Sequence, residues 1–140
     1  MNFRQMTQAD LDFVAEHGIH KGVLKNQPEQ MDYNYCLEHE GEVLVIGGMK
    51  LINNTAAIGW IALTEYSGEY IIEVFRTVKT WLNDMAETLK ISCLIAFVEA
   101  GFEEGERVIL HLGFDKQCRV KNFKGNIPAD LWVKTFEVSK

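Results

Sequence analysis

The chain has 140 residues, of which 47% are hydrophobic, 24% charged and 11% aromatic, and only two are prolines. This mixture is typical of a folded domain, since a chain of this length buries about two thirds of its unfolded surface. It excludes a disordered or collagen-like chain. We therefore expect residues 1–140 to form a single domain with a buried core.

The charge and hydropathy of the chain exclude several kinds of partner. Twenty acidic residues and 14 basic residues give a formal net charge of −6, which opposes binding to nucleic acid. No apolar run approaches the about 20 residues of a membrane-spanning helix, and residues 1–10 lack a signal-peptide pattern. We expect no nucleic-acid partner, no membrane contact, and a protein that stays in the cytoplasm or enters a particle assembled there.

The cysteines and histidines predict no metal site. The three cysteines are widely separated and form no Cys-x-x-Cys pair, so we expect free thiols rather than a disulfide framework or a zinc site. His17 and His20 are three residues apart, but Gly18 interrupts the helix that would align them.

The N-terminal segment predicts a short strand over residues 2–6 and then an α-helix. Thr7 can cap this helix, and Asp10 can reach back to Thr7, which is the pattern of a capping box. Gly18 marks the end of the helix. Residues 19–32 are polar and predict a short second helix or an irregular crossing.

Three strands are predicted next, over residues 33–38, 43–52 and 56–63. The second strand contains Gly47 and Gly48, and adjacent glycines within a strand indicate a bulge or a close approach of two backbones. The third strand is apolar throughout, which predicts a central strand that is covered on both faces.

The second half of the chain begins with a polar loop, residues 64–69, and a long amphipathic helix that starts near Glu69. The apolar stripe of this helix consists of Ile71, Val74, Val78, Trp81, Leu82, Met85 and Leu89. The remaining segments predict a strand, a short helix closed by glycine and two final strands, over residues 91–98, 103–112, 116–123 and 131–138.

This order of elements predicts an α/β (α+β) fold. The strand–helix–strand unit over residues 56–98 requires a right-handed parallel crossover, whereas the other strands follow one another as hairpins. We therefore expect a mixed, mostly antiparallel sheet with helices on both faces and a central β-α-β crossover.

The order of elements, together with the ending Glu106-Arg107-Val108-Ile109-Leu110-His111-Leu112-Gly113-Phe114, resembles the GNAT family of N-acetyltransferases. In that family a helix that ends in Gly-Phe follows the fifth strand. Within the superfamily, the glycine-containing strand and the Leu112-Gly113 helix end are most similar to small phage-encoded GNAT-like proteins, which include an internal virion protein of short-tailed phages. The resemblance implies a GNAT-like fold over nearly the whole chain and a phage origin.

The resemblance also implies a site for acetyl-coenzyme A. The main chain of Ala62 and Leu63 would bind the pantetheine arm, and the loop before the long helix would bind the phosphates. Family members carry Gln/Arg-x-x-Gly-x-Gly/Ala in this loop, because small residues let backbone N–H groups wrap a pyrophosphate. The loop here consists of Ser67, Gly68, Glu69, Tyr70, Ile71 and Ile72. It departs from the motif at Ser67, Tyr70 and Ile72, and Glu69 adds a negative charge.

The catalytic positions that the resemblance implies are also altered. The tyrosine that family members use to protonate the thiolate corresponds to Ile109, and a common asparagine corresponds to Phe102. The strand over residues 56–63 contains no carboxylate that could act as a general base. The remaining candidates are Glu99 and His111, although a polar strand end and an interaction with the helix dipole explain them as well.

Two classes of function follow from these residues. The first is a noncatalytic structural or interaction protein with a degenerate acetyl-coenzyme A loop, located in the host cytoplasm or in a virion. The alternative is a divergent acetyl-coenzyme A dependent N-acetyltransferase that acts on an amine. Tyr33, Tyr35 and Tyr66 lie in or near predicted connections and could contribute to a surface that binds a protein partner.

Overall fold

The computed structural model describes residues 1–19 and 32–137. Seven strands are present: β1 (Asn2–Arg4), β2 (Tyr33–His39), β3 (Glu42–Leu51), β4 (Ala56–Leu63), β5 (Cys93–Glu99), β6 (Asp115–Lys124) and β7 (Ile127–Thr135). Three α-helices accompany them: α1 (Gln8–His17), α2 (Ile71–Leu89) and α3 (Glu103–His111). A 3₁₀ helix, Glu65–Tyr70, precedes α2.

The strands form one sheet in the order β1-β2-β3-β4-β5-β7-β6. β4 and β5 pair in parallel, with α2 between them in the chain, whereas β1–β2, β2–β3, β5–β7 and β6–β7 pair antiparallel. The predicted mixed, mostly antiparallel sheet with a central β-α-β unit is therefore confirmed. No helix among the described residues is both long and apolar enough to cross a membrane.

The chain divides into two compact units. Unit 1 comprises Met1–Lys50 and Gly59–Thr77, and unit 2 comprises Leu51–Ile58 and Val78–Lys140. The predicted second helix or crossing over residues 19–32 lies almost entirely outside the described residues, as does Val138 at the end of the last predicted strand.

In unit 1, the predicted capping box and C-terminal end of α1 are confirmed, whereas β1 ends at Arg4, two residues before the predicted end. α1 is capped by Thr7, whose backbone N–H donates to Asp10 Oδ2 at 2.7 Å, and the helix ends at Gly18. Arg4 donates to Asp10 and also to Glu38 on β2, so one guanidinium joins β1, α1 and β2. These bonds hold the pKa of the buried Asp10 carboxyl below its ordinary value of 3.8, since they stabilise the carboxylate.

The adjacent glycines of β3 allow a close approach of chains rather than a bulge. A Cβ on Gly48 would lie 2.5 Å from the carbonyl oxygen of Tyr33, and a Cβ on Gly47 would overlap the Tyr35 side chain. The bulge of this strand pair is elsewhere, between Leu37 and Glu38. Because Gly47 leaves room for its ring, Tyr35 is only 2% exposed, so its predicted place in a partner surface is wrong.

The apolar stripe of α2 is buried as predicted at Val74, Val78 and Leu82. Trp81 and Met85 are half-buried. The helix begins at Ile71, close to the predicted start, but the preceding segment is a 3₁₀ helix and not the predicted loop.

In unit 2, α3 ends in a Schellman motif. The N–H of Gly113 donates to Leu110 O and that of Phe114 donates to Ile109 O, while Gly113 has a φ of +92°. Lys134 Nζ donates to Leu112 O at 2.6 Å, so a buried cation binds the last carbonyl of the helix end.

Strand β7 begins at Ile127, four residues before its predicted start. The predicted start at Leu131 is therefore wrong, because the two-residue turn Gly125-Asn126 brings Lys124 opposite Ile127 and the ladder continues from there. Asp130 on β7 is fully buried, and its carboxylate accepts hydrogen bonds from Arg119 and forms an ion pair with Lys116 on β6.

Candidate functional site

The end of β4 is held by contacts within unit 1. The N–H of Thr64 donates to Leu44 O at 3.1 Å, so by strand alternation the N–H and C=O of Leu63 point away from β3. Leu63 O accepts from the N–H of Ile19 at 3.0 Å. Ala62 is half-buried. One of the main-chain groups assigned to a pantetheine arm is therefore already bonded to Ile19, the second residue after α1.

Thr64 caps the 3₁₀ helix that follows β4. Its side chain is fully buried, and Thr64 Oγ1 donates to Val43 O at 2.6 Å and accepts from the N–H of Tyr66 at 3.3 Å. A threonine that satisfies the first free N–H groups of a helix is an N-cap. The predictions from sequence missed this residue, although a threonine followed by an acidic residue is a known helix start signal.

Ser67 uses both of its hydrogen-bond donors within the chain. Its N–H donates to Thr64 O at 3.2 Å, and its hydroxyl donates to the same oxygen at 2.8 Å. The residue is only 4% exposed. Ser67 therefore stabilises the turn in which it lies.

The other positions of the segment differ in exposure. Gly68 and Glu69 are exposed, and a Cβ on Gly68 would meet no atom within 4 Å. Tyr70 is half-buried, with its ring 4.8 Å from that of His39, and Ile71 is half-buried as well. Ile72 is 66% exposed.

The segment continues into α2 without a break. Ile71 has helical dihedral angles, φ −61° and ψ −34°, so the 3₁₀ helix passes directly into the α-helix. In a 3₁₀ helix, N–H groups donate to carbonyls three residues earlier. In this segment the N–H groups of Tyr66 and Ser67 are engaged within the chain.

An aromatic cluster lies beside the cap. The ring of His17 is 4.6 Å from that of Phe13 and 5.3 Å from that of Tyr66, and its Nδ1 is 3.7 Å from Glu65 Oε1. An isolated bridge pairs Gly18 with Thr64. The end of α1 is thus attached to the start of the 3₁₀ helix, and no feature of the sequence predicted this contact.

The two candidate catalytic residues lie in unit 2, whereas residues 62–72 lie in unit 1. Glu99 is half-buried at the end of β5, and its backbone carbonyl accepts from the N–H of Phe102. His111 is exposed and is the last residue of α3. Ile109 is only 4% exposed. Among residues 1–19 and 32–137, no group of three or more His, Cys, Asp or Glu side chains is placed to hold a metal ion.

No protein-family model and no curated protein sequence matches the chain significantly. Solved structures do match. Ard1 from Thermoplasma volcanium superposes with a TM-score of 0.79 at 12% identity and covers 96% of each chain. A mutant of spermidine N-acetyltransferase SpeG from Vibrio cholerae gives 0.74 at 11%, covering 96% and 95%. The ribosomal-protein-S18-alanine N-acetyltransferase from Escherichia coli gives 0.74 at 14%, covering 99% and 96%.

These matches define the class of the fold. The neighbours are GNAT acetyltransferases, and the high TM-scores over nearly the whole of both chains show that this protein has the GNAT fold. Because these sequences are at most 14% identical to this chain, the matches show the fold and not the activity, since one fold supports many functions.

Proposed function

We propose that this protein is a noncatalytic member of the GNAT fold class that acts as a structural or interaction protein. The observation that carries the proposal is the use of residues 64–67 within the chain. Thr64 O accepts both donors of Ser67, and Thr64 Oγ1 accepts from the N–H of Tyr66. A ligand that bound to the N–H or the hydroxyl of Ser67 would have to replace these bonds.

Charge and shape around the segment support the same conclusion. Glu69 is exposed in the segment that would meet the phosphates, and its carboxylate would repel their negative charge. Tyr70 and Ile72 stand where the family motif has small residues, so the backbone cannot come close to a ligand there. We infer that acetyl-coenzyme A binds weakly or not at all.

The resemblance to small phage-encoded GNAT-like proteins supports an interaction role in the host cytoplasm or in a virion. In such a role the fold is kept because it is stable, and the donors of the phosphate loop serve folding.

Titration calorimetry with acetyl-coenzyme A tests this proposal. The expected result is no binding to the wild type in the micromolar range. Melting provides a second measurement, because a ligand at a hundred times its dissociation constant would add about 2.7 kcal/mol to the free energy of unfolding. A low micromolar dissociation constant for the wild type would contradict the proposal.

A pair of variants separates shape from charge. Tyr70→Gly with Ile72→Gly restores the small residues of the motif, and we expect measurable binding if shape is the main defect. Tyr70→Ala with Ile72→Ala is the matched control, since it shortens the same side chains without the backbone freedom of glycine. Binding by the double-glycine variant but not by the double-alanine variant supports the proposal that large side chains keep the ligand away. Glu69→Gln in the double-glycine background measures the contribution of charge.

A divergent N-acetyltransferase is the second candidate, and the specific observation in its favour is that the structural neighbours are named as N-acetyltransferases. In this case the general acid or base is Glu99, His111 or bound water. We expect slow turnover, because a positioned acid or base contributes about 10²–10⁴-fold. Acetylation of an amine panel by the wild type, Glu99→Gln and His111→Ala over a range of pH tests this. Fast turnover that neither variant changes would exclude both residues.

A further inference from the structure

Strand β6 is an exposed edge of the sheet. It is last in the strand order and pairs with β7, and no other strand among the described residues pairs with it. All ten residues of β6 are exposed except Val120, which is half-buried. Its ladder with β7 shifts register between Lys116 and Cys118 and between Val120 and Lys124, so the backbone N–H and C=O groups to which another strand can pair are most regular over residues 118–120.

The charge of this edge is opposite to that of the chain. Residues 115–124 contain four basic residues and one acidic residue, in a chain with 20 acidic and 14 basic residues. Lys116 and Arg119 are held by the buried Asp130, yet their side chains are 46% and 54% exposed. Lys121 is exposed and makes no ion pair among the described residues.

These charges limit what can pair with the edge. A second copy of β6 would place basic side chains opposite basic side chains, and like charges directly opposite each other in a sheet are destabilising. An acidic strand would instead place carboxylates beside these cations. The alternating donors and acceptors of the edge match a peptide backbone, whereas the phosphates of a nucleic acid only accept.

We propose that the free edge of β6 binds an extended acidic segment of a partner protein by β-strand addition. The backbone of the segment pairs with β6, and its carboxylates lie next to Lys116, Arg119 and Lys121. This proposal does not depend on the function proposed above, because β6 lies outside residues 62–72.

The test measures binding of a labelled peptide of about eight residues, the length of an ordinary strand, with alternating Glu and Val. Fluorescence anisotropy follows binding to the full chain at low salt, and hydrogen exchange locates it. We expect saturable binding that protects amides of β6. A peptide with Lys in place of Glu should not bind. Two further peptides are N-methylated at alternate residues, one at the odd and the other at the even positions. One of these two registers should bind at least about tenfold more weakly, because the methyl groups remove the N–H donors from the peptide edge that pairs with β6.

Two charge-reversal variants complete the test. Lys121→Glu should weaken binding of the acidic peptide about tenfold, because it introduces repulsion at the edge. Lys50→Glu, the same change at an exposed position of β3, should leave binding within about twofold. Melting confirms that both variants fold.

The proposal is overturned by any of three results. The acidic peptide does not bind, both N-methylated registers bind as tightly as the parent peptide, or the two charge reversals have equal effects. Tight binding of an oligonucleotide with the same dependence on Lys121, together with insensitivity to N-methylation, would assign the edge to nucleic acid instead.

Discussion

Two helix termini of this protein are closed in different ways. The C-terminus of α3 keeps the Gly-Phe ending, and Gly113 and Phe114 bond to Leu110 and Ile109. At the entrance to α2, the N–H of Tyr66 and both donors of Ser67 are bonded to Thr64. A helix C-terminus needs only groups of its own chain, whereas a phosphate loop must leave N–H groups free. The C-terminus of α3 is thus closed by a glycine in the left-handed region, and the entrance to α2 is closed by a buried threonine cap.

The largest expected effect on stability concerns the C-terminus of α3. Phe114 is only 4% exposed, so Phe114→Ala should lower the free energy of unfolding by about 3–5 kcal/mol. Phe123→Ala is the control, because it removes the same ring from a position that is 39% exposed. Chemical denaturation compares the two variants. Equal losses would show that the Schellman end of α3 has no special part in stability.

A third helix terminus, the N-terminus of α1, should stabilise the protein in a way that depends on pH. Asp10→Asn should lower the free energy of unfolding at pH 7 by about 1–3 kcal/mol, because Arg4 and Thr7 lose a charged acceptor. The folded pKa of Asp10 lies below its ordinary value of 3.8. Its stabilisation is therefore fully present above that value and is lost as the pH falls through the folded pKa.

Denaturation of the wild type and of Asp10→Asn between about pH 2 and pH 7 measures this dependence. The difference between the two proteins should shrink as the solution becomes acidic. Asp12→Asn, on the exposed side of the same helix, serves as the control. A difference that is constant with pH would mean that the carboxylate of Asp10 is not responsible.

At the entrance to α2, Thr64→Ala should cost about 1–2 kcal/mol, since it removes the cap of the 3₁₀ helix and its bond to Val43. Thr64→Ser keeps the hydroxyl and should recover most of this loss. Thermal melting measures stability, and hydrogen exchange at Tyr66 and Ser67 reports the segment itself. Unchanged exchange in the alanine variant would contradict the proposed use of these donors within the fold.

The smallest effect is expected at the C-terminus of α2. Lys90 has a φ of +61°, and the N–H of the following Ile91 donates to Ala86 O, as in the end of α3. A lysine in this conformation is strained, so Lys90→Gly should raise the free energy of unfolding by about 0.5–1 kcal/mol. Gly113→Ala should lower it by about 1 kcal/mol. A destabilised Lys90→Gly would indicate that the lysine side chain stabilises the end of α2.

Local signals in the sequence were sufficient for several elements. Thr7, Asp10 and Gly18 delimit α1, and Gly113 ends α3, because each acts on backbone groups within a few residues. The apolar run over residues 56–63 correctly indicated the central strand, since a strand without polar positions must lie between neighbours.

Contacts between distant residues could not be predicted in this way. The burial of Tyr35 depends on Gly47 across the strand pair, and the start of β7 depends on the turn that brings Lys124 opposite Ile127. The bond from Ile19 to Leu63 joins residues that are far apart in the chain and share no pattern.

The sequence by itself determined the order of elements and the mixed sheet, because periodicity and capping act locally. Only the tertiary structure decided how the hydrogen-bond donors of Tyr66 and Ser67 are used. Thr64 is buried against Val43, and Ser67 turns back to Thr64. The burial and the hydrogen bonds of a polar group depend on the neighbours that folding brings to it, and the local sequence does not specify those neighbours.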